Sequence, residues 1–267
     1  MIEFIHISDT HFGPDADHSI RGSRPYRRTA EVVKEINALP FSPDFVMHTG
    51  DIVNEPEAAA YQMAAEVLGQ LESPIHYVTG NHDDPEMIRE HMGVQEPNSL
   101  SDDAGRLCYH FPMGEGIEAF ILDAKVPEKE GPHGFLPQEQ IDAFAEAQRE
   151  FEHIALFLHY PLLPIGSKWI DEFLLVRNGG TVHEFLRDEI GSRLRGVFFG
   201  HLHRGLQLYR DGILYSGVAS SVCQFPSDPQ SATCEYLPDC NLAFNHISMS
   251  PEATLVKEYS VPIPWKR

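Results

Sequence analysis

The stretch VFFGHLHRG, residues 197–205, opens as a buried strand and then places His201 and His203 two apart, where a core would take valine or isoleucine. Side chains two apart along an extended segment leave it on the same face. Both imidazoles are therefore presented together at the end of a strand, and other strand ends in the chain behave alike. HISDTH (6–11) finishes on Asp9 and His11, and VMHTGDIVN (46–54) on Asp51 and Asn54. YVTGNHDD (77–84) finishes on Asn81, His82 and Asp83, and LFLHYP (156–161) carries His159. Open α/β sheets assemble their sites where strands end. Gly50, Gly80 and Gly200, each just before one of these residues, predict sharp turns that bring the side chains back over the sheet edge.

Working outward, apolar periods of two and of 3.6 alternate along most of the chain. Helices are expected at 28–39, 57–71, 85–92, 137–151 and 181–190, each after a short apolar strand. RLCYHFP and IEAFILDA read as neighbouring strands across the MGEG turn. Two more hairpins turn at Asp211–Gly212 and around Pro251. Alternation first and meander later predicts an α/β fold with mixed sheets. The long irregular stretch 221–240 (SVCQFPSDPQSATCEYLPDC) is of a length that tends to serve function or an interface.

At 267 residues the chain suits one large domain. Forty acidic against 20 basic residues give a formal charge of −20, a field that repels polyanions and excludes a nucleic-acid polymer as partner. The one dense basic run, RGSRPYRR with Arg21, Arg24, Arg27 and Arg28, is expected to be solvated surface; the alternative puts one or two arginines at the rim of an anion-binding cleft. Four cysteines without CxxC spacing predict reduced thiols, with a Cys234–Cys240 disulfide as the weaker alternative. The opening MIEFIHISD is already strand-like, and no apolar run approaches the ~20 residues of a membrane span. A cytoplasmic protein with no membrane contact is the expectation.

A lone Asp-x-His or Gly-Asp is ordinarily a capping or turn feature, and lone histidines such as His6, His48, His76 and His153 are assigned to core or surface. The ordered series DxH, GDxxN, GNHD, H and GHLH, each at a strand end, is different. Oxygen and imidazole donors without thiolate suit Mn, Fe, Co or Zn. The candidates exceed what one tetrahedral ion needs, and a carboxylate can bridge two cations. A two-metal hydrolytic centre follows.

That series resembles the calcineurin-like metallophosphoesterases, and within them the class III cyclic-nucleotide phosphodiesterases and the bacterial glycerophosphodiesterases. The resemblance runs from Asp9 to His203. It implies a four-layer α/β/β/α sandwich of two mixed β-sheets flanked by helices. It divides the chain into a catalytic domain, 1–220, and a C-terminal extension, 221–267, whose hairpin completes a sheet and contributes to a homo-oligomer contact. It also implies that Asp9, His11 and His203 hold one divalent or trivalent ion, that Asn81, His159 and His201 hold a second, and that Asp51 bridges them. His82 resembles the family's catalytic histidine, with the Asn54 amide orienting it where protein phosphatases carry Asp. The implied reaction is in-line attack of a metal-bridging hydroxide on a small phosphodiester, a cyclic nucleotide or glycerophosphodiester. A phosphomonoesterase with the same centre, and an inactive binding scaffold, are the alternatives.

Overall fold

The computed structural model describes residues 1–264, so the last three positions of the expected extension lie outside the described residues. The chain begins with alternating elements: β1 (Ile2–Ile7), α1 (Pro25–Asn37), β2 (Phe45–His48), α2 (Ala58–Leu68), β3 (Ile75–Tyr77) and α3 (Pro85–Met92). Then come β4 (Asn98–Ser99), β5 (Tyr109–Gly114), β6 (Ile117–Ile121), α4 (Gln138–Ala147) and β7 (His153–Phe157). After α5 (Lys168–Phe173), α6 (Gly179–Phe185) and β8 (Leu194–Phe199), two hairpins close the chain: β9 (Leu206–Arg210) with β10 (Ile213–Gly217), and β11 (Leu242–Met249) with β12 (Thr254–Val261).

These strands make two mixed sheets, five strands in the order β12-β11-β1-β2-β3 and seven in the order β4-β5-β6-β7-β8-β10-β9. β1, β2 and β3 run parallel, as do β6, β7 and β8. β11 pairs antiparallel with β1, so the terminal hairpin extends the first sheet. Strand alternation shows how the layers stack. On β8, Phe198 joins the cluster between the sheets, while Val197 and Phe199 face the other way into a second cluster with α4 and α6. Phe4 on β1 meets Phe157 and Phe198 edge-on at 5.8 and 5.7 Å, which is the contact between the sheets. The helices α1 and α2 cover the outer face of the first sheet through Val32, Val33, Ile36, Ala64 and Val67. The fold is the expected α/β class, two mixed sheets between helical layers.

Expected helices shift only at their ends. The 137–151 segment stops at Ala147 and finishes in one 3₁₀ turn, and the 181–190 segment widens to a π-helical turn over Leu186–Ile190. α3 starts just after the GNHD loop because Pro85 sits in its first turn and the Asp84 carboxylate accepts the Glu86 and Met87 N–H groups.

Candidate metal centre

The parallel strands of the two sheets end at one seam, and there the structure brings together all seven expected ligands. Ligand atoms of Asp9, His11, Asp51 and His203 lie within 4.8 Å of one another, and so do those of Asp51, His159 and His201. Asn81 reaches the second group, its Oδ1 lying 3.2 Å from His159 Nε2. Asp51 belongs to both groups. Every member of the two groups is buried, while Asn81 and His82 are half-buried at the edge.

The backbone is strained to achieve this. Asp9, His11, Asp51, His201 and His203 all carry a left-handed φ, between +45° and +64°. That region costs a non-glycine residue of order 1–3 kcal/mol when the surroundings enforce it, and such residues gather at functional sites. Main-chain bonds do the enforcing. Asp9 N–H donates to Gly50 O at 2.9 Å and His11 N–H to Asp51 O at 3.0 Å, so the loops after β1 and β2 are laced together. The glycines divide in their reasons. Gly50 has φ +96°, as the expected turn requires, but Gly80 and Gly200 are needed for close approach. A Cβ on Gly80 would lie 2.2 Å from Asp51 N, and one on Gly200 would lie 1.9 Å from Ser8 Oγ.

Carbonyl groups set the tautomers. His159 Nδ1 lies 2.7 Å from Thr49 O and His203 Nδ1 lies 2.9 Å from Cys223 O. A carbonyl only accepts, so each Nδ1 carries the proton and donates, leaving Nε2 as a lone pair aimed at the centre. His203 Nε2 faces His11 Nε2 at 3.0 Å and Asp9 Oδ1 at 3.4 Å. His159 Nε2 faces His201 Nδ1 at 3.0 Å and Asp51 Oδ2 at 3.4 Å. Buried acceptors crowded this way repel unless positive charge sits among them. The donor set therefore fits a pair of divalent cations.

The acid–base properties point the same way. Burial pushes the Asp9 carboxyl up to about 7, and burial holds His203 down at about 3. Burial likewise takes His11 and His201 well below the ordinary imidazole range. His159 goes the other way: burial lowers it, but the adjoining Asp51 and Asp9 carboxylates outweigh that and lift it to about 9. For Asp51, burial is outweighed by the facing imidazoles, which keep it ionised well below the usual carboxylate range. The Asp51 and Asp9 carboxylates thus draw positive charge into the centre, as ligands of a cation do.

His82 lies just outside the groups. Its N–H donates to Asp51 Oδ1 at 3.0 Å, and its ring Nδ1 donates to the Asn54 carbonyl at 2.7 Å. This corrects the sequence expectation, in which the Asn54 amide orients the ring. The Asn54 side chain turns instead to Glu55, with Nδ2 to Oε1 at 3.3 Å. The orienting group is main chain, so the Asn-for-Asp difference does not act through that bond.

One further expectation changes. The arginine run is not all solvated surface. Arg28 is buried and donates to the carbonyls of Ser221, Pro238 and Cys240, fastening the 221–240 segment. Arg21 points into the site, while Arg24 pairs with Asp17 on the exposed side. Asp83 closes the GNHD series. Its buried carboxylate accepts N–H bonds from Ile52, Val53 and Gly80 at 2.9, 3.2 and 2.9 Å, clamping the loops that carry Asp51 and Asn81. The signal available was an acid next to the ligand loop. Among the described residues no disulfide joins the four cysteines.

A cavity of about 320 Å³ opens over the groups, walled by Arg21, Trp169, Phe225 and Tyr236. A second, of about 420 Å³ with Asn54, Glu55 and Lys125, lies on the other side of Asn81 and His82. Ligands at strand ends, a shared carboxylate and a histidine between two cavities agree with a match of residues 2–205 to the calcineurin-like phosphoesterase model. The chain belongs to that family. Among curated relatives of this phosphoesterase is a 3′,5′-cyclic adenosine monophosphate phosphodiesterase from Haemophilus influenzae, 26% identical, with 86% of this chain and 80% of the relative covered. A glycerophosphodiester phosphodiesterase from Enterobacter lignolyticus is 32% identical over 74% of this chain and 69% of its own. A cAMP/cGMP dual-specificity phosphodiesterase of Mycobacterium tuberculosis is 29% identical over 90% and 69%. The purple acid phosphatase PPD1 from yellow lupin superposes with a TM-score of 0.63 at 12% identity, covering 97% of this chain and 51% of that one, a likeness of fold.

Proposed function

We propose that the protein is a binuclear metal-dependent phosphodiesterase acting on small phosphodiesters. The observation that carries this is Asp51, whose carboxylate belongs to two adjoining groups of buried donors. Asp9, His11 and His203 would hold one cation and Asn81, His159 and His201 the other, with Asp51 between them. Such ions supply neutralisation of phosphate oxygens and acidification of water near neutral pH. The residues do the rest. The laced loops fix the donors in advance, and the carbonyls of Thr49 and Cys223 keep the imidazole lone pairs inward. His82, with Nδ1–H committed to Asn54 O, turns Nε2 into the site beside Arg21, where it would hold a proton toward the leaving oxygen.

The diester assignment is supported by the relatives' activities: cyclic adenosine monophosphate, glycerophosphodiester, and cAMP and cGMP phosphodiesterases. Mn, Fe, Co or Zn suit the donor set. Cysteines that form no disulfide among the described residues support a reducing, cytoplasmic setting. Among the described residues no helix is long and apolar enough to cross a membrane. The division at residue 220, with the following segment as an oligomer contact, is part of the same proposal.

Purified metal-replete protein is expected to hold two cations per chain by elemental analysis and to hydrolyse bis(p-nitrophenyl) phosphate. His82→Ala is expected to keep both cations and to lose about 10²–10⁴-fold in kcat, more for poor leaving groups than for good ones. One cation per chain at saturation, or no diester hydrolysis with two bound, refutes the proposal.

A further inference from the structure

Left-handed backbone picks out one residue that the ligand set does not use. Among the described residues eight non-glycine positions have positive φ; five are expected ligands, and Glu115 and Asp211 sit in hairpin turns. The eighth is Arg21, at φ +52°, inside a tight turn where Ile20 and Ser23 exchange N–H···O bonds of 2.9 and 2.8 Å. The turn is tied down by the Ser23 hydroxyl, which donates to Val222 O. From there the side chain reaches over the centre. Nη1 lies 3.1 Å from His11 Nε2, and Nη2 lies 3.4 Å from His82 Nε2. The guanidinium carbon sits 4.9 Å from the centroid of the Tyr236 ring, a cation–π platform.

A guanidinium is permanently charged and only donates. Its neighbours are two imidazoles, the Cys223 thiol and a ring face, and among the described residues no carboxylate pairs with it. Beside cations held by His11 it would be repelled, unless an anion lay between them to take its two N–H groups. We propose that Arg21 is a substrate-binding residue whose fork donates to a non-bridging oxygen of the phosphate, opposite the cations and beside His82. The inference rests on the phosphodiesterase reading and deepens it. An added positive charge at the phosphate favours the doubly charged form, so product monoester and inorganic phosphate are held more tightly than the cations alone would hold them. Tyr236 is a positioning residue for the fork, and Arg28, by fastening the 221–240 segment, positions Tyr236.

The test titrates inorganic phosphate into metal-loaded protein by calorimetry, alongside kinetics on bis(p-nitrophenyl) phosphate and elemental analysis. Arg21→Ala is expected to keep both cations, to weaken phosphate binding about tenfold and to lower kcat/KM about 10²-fold. Arg21→Lys keeps the charge without the fork and should recover part of the phosphate affinity. Millimolar guanidinium should restore part of the Arg21→Ala turnover. Phosphate affinity in Arg21→Ala equal to wild type overturns the inference. So does loss of a cation, because Arg21 would then act through His11. Should wild-type protein turn over no diester while the calorimetric effect of Arg21 stands, the phosphodiesterase reading fails and this one survives.

Discussion

The two sheets feed the same site with different chemistry. The five-stranded sheet delivers every oxygen donor, Asp9, Asp51 and Asn81, together with His11. The seven-stranded sheet delivers only imidazoles, His159, His201 and His203. They are also held differently. First-sheet loops brace one another through Asp9 N–H to Gly50 O, His11 N–H to Asp51 O and the Asp83 clamp. Two of the second-sheet imidazoles are fixed by carbonyls borrowed from elsewhere, Thr49 after β2 and Cys223 in the irregular segment. The first-sheet loops are thus braced largely by one another, whereas His159 leans on the first sheet and His203 on the irregular segment. The return tie is the second sheet's, through His201 N–H to the Asp9 carboxylate at 3.1 Å and the Ser220 hydroxyl to Asp9 O at 2.8 Å.

The largest test of that asymmetry removes one ligand from each half. Asp51→Ala should lose both cations and all measurable turnover, whereas His203→Ala should lose one and keep the other; elemental analysis after gel filtration reads the difference. Equal losses from the two variants would erase it. A smaller effect is expected from Asp83→Asn, which keeps the shape but turns an amide toward N–H donors. Cation affinity in a chelator competition should drop about 10–100-fold, while the fold persists. Unchanged affinity would mean the loops after β2 and β3 need no clamp.

The smallest effect concerns protons. His6, His48 and His76 lie in the first sheet, where burial holds the first two at about 3 and His76 at about 4. These are bases depressed below the ~6.5 of an unfolded chain. Their neutral fit is complete above that pH, and stability is lost as pH falls from there toward 4, because only the unfolded chain takes up the proton. His76 stacks on Phe111 at 3.8 Å, so His76→Leu keeps an apolar contact. Between pH 7 and 5 its urea stability should fall about 2 kcal/mol less than that of wild type. Parallel pH profiles for the two would show that His76 does not contribute.

Much of this was legible before any coordinates. The ligand series could be read because glycine, strand ends and spacing are local signals, and the hairpins at Asp211–Gly212 and Pro251 announced themselves by turn residues. Main-chain partners were not legible. The Asn54, Thr49 and Cys223 carbonyls act through an atom that every residue carries, so no residue type marks them. Arg21 and Arg28 were hidden for a second reason. They sit in a run that looks like solvated charge, and what divides them is contact with residues some two hundred positions downstream, such as Arg28 with Ser221 and Tyr236 under Arg21.

The segment over the cavity closes on itself, with Gln224 and Leu237 exchanging N–H···O bonds of 3.1 and 2.8 Å. Its root at Ser221–Cys223 is committed to Arg28, Ser23 and His203. The span between the paired residues is held at its two ends and once between them, where the Ser231 carbonyl accepts the Trp169 N–H at 3.1 Å. A loop built this way is a cassette: its rim can be exchanged in length and composition while the cation-binding floor keeps its alignment. Substrate preference in this architecture can therefore drift on the exposed positions between Phe225 and Tyr236, the two rings that touch His203 and Arg21, without renegotiating the chemistry beneath.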